Sequence, residues 1–246
     1  MSGVRVATMT DAGDNSARAT TPLDALQVMA SSDVLLTPTL RHIEMYTMRG
    51  LLTILWHSPA DDQPVQPGAL VLCGGAMGGL LGPGDAVYHR LGEEWSARGV
   101  NVLRVSYRRP NDLDLCCLDA AAAAQLAIGG GGADRFVIMG HSFGGAVAVR
   151  VGVGLRDMLA GVVTFATQSA GCEIAGGLQG SPFLLFHGDR DDILPLEASE
   201  MVRTIAGCGE VVRLPGDGHL LAKSDDAIWE RLEMFLPPLL SSSLGD

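Results

Sequence analysis

Phe136-Val-Ile-Met-Gly-His-Ser142-Phe-Gly-Gly145 decides the fold: a short apolar run breaks into Gly-x-Ser-x-Gly and then into a helix-forming sequence. A strand that reverses sharply into a helix leaves no room for Cβ atoms beside the turning residue. Gly140 and Gly144 therefore predict a tight elbow that holds the Ser142 hydroxyl above the sheet edge. The helix that follows, expected over about Phe143 to Leu155, aims its N-terminal amides at the same point, where they stabilise developing negative charge. In a chain with 32 glycines the pentapeptide says little alone, so its flanks carry the weight. Arg135-Phe-Val-Ile-Met139 reads as a strand, and Ala146-Val-Ala-Val-Arg-Val-Gly152 as a small-residue helix able to lie close to a sheet.

Moving outward, Ala69-Leu-Val-Leu-Cys73 is a continuous apolar strand that opens into Gly74-Gly-Ala-Met-Gly-Gly79, a run that permits close backbone approach to a ligand. A helix is expected from about Asp85 to Arg98, then a strand over Asn101-Val-Leu-Arg-Val-Ser106, which makes a parallel crossover. Asp112 to about Ile128 reads as an alanine-rich helix that Gly129-Gly-Gly-Gly132 stops. That quadruple glycine lacks the Lys-Ser/Thr ending of a phosphate loop and precedes a strand instead of following one. Beyond the serine, Ala160 to Phe165, Pro182 to Phe186 and Glu210 to Leu214 are strands, with helices at about Leu196 to Ala206 and Asp225 to Leu236. Upstream, Ile43 to Met48, a turn at Arg49-Gly50 and Leu51 to His57 read as an antiparallel hairpin. Residues 1–40 are expected to be a largely flexible N-terminal tail, with a short helix possible over Leu23 to Met29 before Thr37-Pro38 interrupts. Residues 41–240 form a single α/β domain, and 241–246 a C-terminal tail. The alternation specifies a mostly parallel twisted sheet covered by helices on both faces.

Composition limits the function. With 246 residues, 47% hydrophobic and 18% charged, the chain supports one large core. A net charge of −11 and no basic run exclude a nucleic-acid partner, which needs a cationic face. The absence of any run of about 18 apolar residues predicts no membrane span. Five cysteines, odd in number and without paired ligand spacing, suggest reduced thiols and a cytoplasmic setting. No metal and no cofactor is implied, since no His-x-x-x-His and no Cys pair at ligand spacing occurs. A homodimer is possible.

Reactive loops of such a sheet lie at the C-terminal ends of its strands. Two candidates for partners to Ser142 stand there: Phe186-His-Gly-Asp-Arg-Asp191-Asp-Ile-Leu-Pro195 and Pro215-Gly-Asp-Gly-His219. The order is Ser, Asp, His.

With these three motifs, over about Ile43 to Leu236, the sequence resembles the α/β-hydrolase superfamily. The resemblance implies an α/β-hydrolase fold with Ser142 as nucleophile, Asp191 as acid and His219 as base. Asp189 and Asp192 flank the acid and are alternatives. The amide of Phe143, with one from Gly75 or Ala76, forms the expected oxyanion hole. Cys73-Gly74 stands where the family usually has His-Gly. Only about fifteen residues, Ala166 to Gly180, separate two strands where many members carry a helical cap, so no cap domain is expected. The capless form resembles dienelactone hydrolases and small carboxylesterases, although the former often use Cys where this chain has Ser142.

The expected activity is hydrolysis of small carboxylic esters or thioesters through an acyl-enzyme, with short acyl chains preferred because the site is read as small and open. Met77, Thr167, Gln168 and Leu194 are expected at the substrate, and Ser169 on the same rim. Arg108 and Arg109 place two cations near that edge. The alternatives are a non-catalytic binding module on the same fold, and perhydrolysis or cyanohydrin cleavage by the same residues.

Overall fold

The computed structural model describes residues 20–241. Its centre is a nine-stranded sheet in the order β1-β2-β3-β5-β4-β6-β7-β8-β9. Strands β1 (Ala30–Thr37), β2 (Leu40–Thr47) and β3 (Gly50–His57) run antiparallel, and β3 pairs antiparallel with β5 (Asn101–Ser106). From there the sheet is parallel through β4 (Gly68–Cys73), β6 (Arg135–His141), β7 (Leu159–Phe165), β8 (Phe183–Gly188) and β9 (Glu210–Leu214). Strands β4, β6, β7 and β8 are buried along their whole length, as continuous apolar runs between two helical layers must be.

One layer contains α1 (Pro22–Leu26), α3 (Leu113–Gly131), α4 (Phe143–Gly154) and α5 (Leu196–Ala206), packed on Val71, Phe136 and Ile138 among others. The other contains α2 (Val87–Ser96), α6 (Asp225–Phe235) and the short α7 (Pro237–Leu240), packed on Leu70, Val137 and Phe165. Helix α7 closes the end of the sheet remote from the reactive loops. Gly68 admits it, since a Cβ there would lie 2.6 Å from the Leu240 Cα.

Two expectations change. Residues 20–40 are not a tail: Thr21 caps α1, Leu26 is buried in the core, and the Leu23 amide donates to Gln125 Oε1 on α3 at 2.9 Å. Strand β1 then adds to the edge of the sheet. Its side chains are mostly exposed, so it carries no apolar alternation; pairing with β2 is what orders it. Residues 1–19 and 242–246 lie outside the described residues.

Helix α3 also continues through Gly129, Gly130 and Gly131, and only Gly132, at φ 77°, ends it. A Cβ on Gly131 would sit 3.0 Å from the Trp56 ring and 3.1 Å from Asn101 Nδ2, so close approach to β3 and β5 accounts for that glycine. The helix is long and apolar enough by length and composition to cross a membrane. In the fold it is a core helix, with Ala120, Ala122, Ala123, Ala124 and Ala127 fully buried.

Candidate active site

The elbow after β6 forms because each glycine around Ser142 removes a collision. A Cβ on Gly140 would lie 1.8 Å from the Gly144 oxygen, one on Gly144 2.3 Å from the Gly74 oxygen, and one on Gly145 2.1 Å from Thr167 Oγ1. Ser142 itself takes φ 56° and ψ −117°, a strained conformation for a residue with a side chain. Its amide donates to Phe165 O at 2.8 Å, and its carbonyl accepts from Gly145 N at 3.0 Å, which pins the strain in place. Phe143 opens α4, so its amide has no intrahelical acceptor and the positive end of the helix faces the Ser142 side chain.

Opposite lies the loop after β4. The Tyr88 hydroxyl donates to Cys73 O at 3.0 Å and the Tyr107 hydroxyl to Gly74 O at 3.1 Å, so two buried phenols fix the backbone that enters this loop. A turn follows in which Gly78 N donates to Gly75 O at 2.9 Å. A Cβ on Gly75 would be 3.8 Å from the Ser142 Cβ, which sets Gly75 directly beside the serine.

The third and fourth loops bring the acid and the imidazole. Gly188 is required where they cross, because a Cβ there would lie 2.4 Å from Asp217 O. Asp191 is sequestered, its side chain 0% exposed. One carboxylate oxygen accepts from the Ile193 and Leu194 amides, each at 2.9 Å, and the other accepts from His219 Nδ1 at 2.8 Å. Burial pushes its pKa up, but those amides and the imidazole outweigh it, and the carboxyl is held below the ordinary carboxylate range. With Nδ1 donating, His219 Nε2 is left as the acceptor, and His219 and Ser142 line one cavity.

Neither neighbouring acid serves in that place. Asp189 accepts from the Gly216 amide and from Arg213, which ties the two loops together, and Asp192 is exposed.

Two further histidines brace this pair. His141 Nε2 lies 3.0 Å from the His219 carbonyl, which only accepts, so that nitrogen carries the proton. Burial lowers the His141 pKa and keeps the ring neutral at pH 7. His187 is fully buried, with Nε2 3.0 Å from Leu194 O and 3.3 Å from Asp191 Oδ2. Both partners are acceptors, so Nε2 is protonated and Nδ1 accepts from the Ser199 hydroxyl at 2.7 Å. From their places in the sequence motifs, His141 and His187 are expected to pack or hydrogen-bond locally; the bond from His141 instead reaches 78 positions along the chain. Asp217, 2% exposed, accepts from Gly218 N and Lys223 N and shapes the loop that carries His219.

The cavity has a volume of about 610 Å³ and is lined by residues 74–82, His141, Ser142, Ile193, His219 and Leu220. Gly75, Ala76 and Met77 are therefore at the site. Thr167 is not: it is fully buried, packed under Gly145. Gln168, Ser169 and Leu194 line a separate cavity of about 320 Å³ with Met201 and Glu197. The turn of chain at Ile193-Leu194 explains the split, since Ile193 faces one cavity and Leu194 the other. Arg108 is buried against Asp119, and Arg109 lines a third cavity together with Asp112. Neither belongs to the cavity at Ser142.

Cys73, Cys116, Cys117 and Cys172 are poor nucleophiles. Burial pushes Cys117 up to about 11 and Cys116 and Cys172 to about 12, and raises Cys73 further. Among the described residues His57, His89 and Glu93 form a cluster with metal-ligating groups, in which the fold brings His57 of β3 to a pair four residues apart on α2. The Arg104 guanidinium acts on both His57 and Glu93, which disfavours a cation there.

No protein-family model matches this sequence, and no curated protein does. Solved structures do resemble it. Est1E from Butyrivibrio proteoclasticus superposes with a TM-score of 0.68 at 17% identity, over 80% of this chain and 98% of that one. XC6422 from Xanthomonas campestris, described as an α/β serine hydrolase without a lid, gives 0.66 at 19% identity over 85% and 99%. A dienelactone hydrolase from Anabaena variabilis gives 0.67 at 14% identity over 82% and 99%. The chain has the α/β-hydrolase fold without a cap domain.

Proposed function

We propose that this α/β-hydrolase-fold protein is a serine hydrolase that cleaves carboxylic esters or thioesters through an acyl-enzyme. The observation that carries the reading is the strained Ser142 at the head of α4, in one cavity with an imidazole whose Nδ1 is bound to a buried carboxylate. The relatives described as a serine hydrolase and a dienelactone hydrolase agree with it.

In this reading Ser142 Oγ attacks the carbonyl carbon while His219 Nε2 takes its proton. The imidazolium is stabilised by Asp191, which stays ionised. The tetrahedral oxyanion is received by the Phe143 amide and by that of Gly75 or Ala76, each donor contributing about 3 kcal/mol in comparable sites. Collapse breaks the bond to the leaving alcohol or thiol, which departs with the proton from His219. Water then attacks the acyl-enzyme, giving its proton to His219, and the carboxylic acid leaves as Ser142 regains its hydrogen. No metal or cofactor takes part in these steps. Five free cysteines fit a reducing compartment such as the cytoplasm.

A fluorophosphonate probe, followed by mapping of the adduct, tests the reading together with p-nitrophenyl ester hydrolysis. Labelling of Ser142 and loss of at least 10³-fold in kcat on Ser142→Ala are expected, on the order seen when a triad serine is removed. An unlabelled serine in folded protein, or unchanged turnover in the variant, would leave a binding module on the same fold.

A further inference from the structure

Ser142 and His219 sit in an apolar collar. Four large apolar side chains stand around the cavity mouth and are strongly exposed: Met77 at 94%, Leu81 at 59%, Ile193 at 66% and Leu220 at 63%. They come from three different loops, those after β4, β8 and β9. Ile193 lies two residues after Asp191 and Leu220 directly follows His219, so the loops that supply acid and imidazole also supply the rim. Soluble proteins seldom concentrate such side chains around one concavity unless an apolar surface is to cover them. No residue lining the cavity carries a permanent charge. Arg108 is occupied by Asp119, and Arg109 lines another cavity beside Asp112, so no Lys or Arg in the lining pairs with a carboxylate or phosphate. The chain's net charge of −11 adds repulsion for anionic molecules.

We propose, on the basis of the serine-hydrolase reading, that the substrate is an uncharged ester bearing an apolar chain or ring of medium size, seated on Met77, Leu81, Ile193 and Leu220. This replaces the preference for short acyl groups that the absence of a cap suggests. A cavity of about 610 Å³ holds far more than an acetyl group and falls within the usual range for drug-sized ligands, ~300–1,000 Å³. Each methylene that leaves water against the collar adds to transition-state binding as well as ground-state binding. kcat/KM therefore rises with chain length, by up to about fourfold per methylene at full burial and less on an open rim. A phosphate-bearing thioester of the same acyl group gains the apolar contact but meets no cation.

The test uses p-nitrophenyl esters from acetyl to decanoyl below their aggregation limits, with octanoyl thioesters of a neutral thiol and of a phosphate-bearing thiol as a pair. Expected are a rise of at least tenfold in kcat/KM from acetyl to octanoyl, and a preference of at least tenfold for the neutral thioester. Leu81→Ser and Ile193→Ser, made singly and together, are expected to cut the octanoyl-to-acetyl ratio by at least fivefold. A maximum at acetyl, an unchanged ratio in the double variant, or a preference for the phosphate-bearing thioester overturns the proposal while leaving the serine hydrolase intact. Binding of p-nitrophenyl octanoate to the Ser142→Ala protein, measured by calorimetry, separates the two readings. Tight binding without any turnover by the wild type would refute the hydrolase and keep the collar, whereas binding no tighter than that of the acetate refutes the collar.

Discussion

Asp191 is held by bonds of two kinds, amides that fix its position and an imidazole that it in turn orients. Asp191→Asn preserves the shape and the amide contacts to one oxygen, but offers an NH₂ or a neutral oxygen to His219, so the tautomer with a free Nε2 is no longer favoured. A fall in kcat of about 10³–10⁴-fold with KM nearly unchanged is expected from steady-state kinetics, as for other triads. His187 acts one step further out. Ser199→Ala removes the hydroxyl that donates to His187 Nδ1, so one of the anchors that orient the ring beside Asp191 is lost. We expect a loss of about tenfold in kcat, little change in KM, and near-wild-type thermal stability; a KM effect instead would place Ser199 in substrate binding.

Helix α3 and the β6–α4 elbow both contain glycines, for different physical reasons. Gly129 is exposed and a Cβ there meets nothing within 4 Å, so Gly129→Ala gains the helix propensity of alanine and is expected to stabilise by about 0.5–1 kcal/mol in urea unfolding. Two residues on, Gly131→Ala presses on Trp56 and Asn101, and the same measurement is expected to show no gain or a loss. At the elbow, a Cβ on Gly144 meets backbone oxygens of Gly74 and Cys73 at 2.3 and 2.6 Å, which no side-chain movement relieves. Gly144→Ala is expected to cost more than ~2 kcal/mol and to abolish labelling at Ser142. Helix α1, though only five residues long, is also part of the core: Leu26→Ala is expected to cost about 2–4 kcal/mol by leaving a cavity against α3.

For the whole molecule, falling pH weakens the fold, and His57 is one reason. It is 1% exposed, its Nε2 is buried without a partner, and Arg104 and His89 lie near it; burial and these groups lower its pKa to about 4, while Glu93 lies 3.1 Å from Nδ1. Between about pH 6.5 and 4 the unfolded chain binds a proton at this position that the native protein does not, so this contribution to stability is complete above pH 6.5 and is lost as the pH falls. His57→Gln is expected to flatten the decline between pH 7 and 5 by about 1–2 kcal/mol, read from urea unfolding at each pH. Much of this molecule was legible in the chain itself: the continuous apolar runs at β4, β6, β7 and β8, the helices between them, and the glycines around Ser142 are consequences of local sterics and of burial on two faces. Local rules see only neighbours along the chain, and there they stop. Strand β1 is ordered by pairing with β2; α3 runs through its glycines because Trp56 needs the space; Thr167 lies under Gly145 instead of on the rim. The links from His141 to His219 O and from His187 to Asp191, and the ring of Met77, Leu81, Ile193 and Leu220, join side chains from separate loops. Periodicity and turn chemistry determined which elements form and in what order, because each depends on a few adjacent residues. Which side chains meet at the cavity was decided only by tertiary structure, because that depends on where the sheet brings the ends of distant strands together.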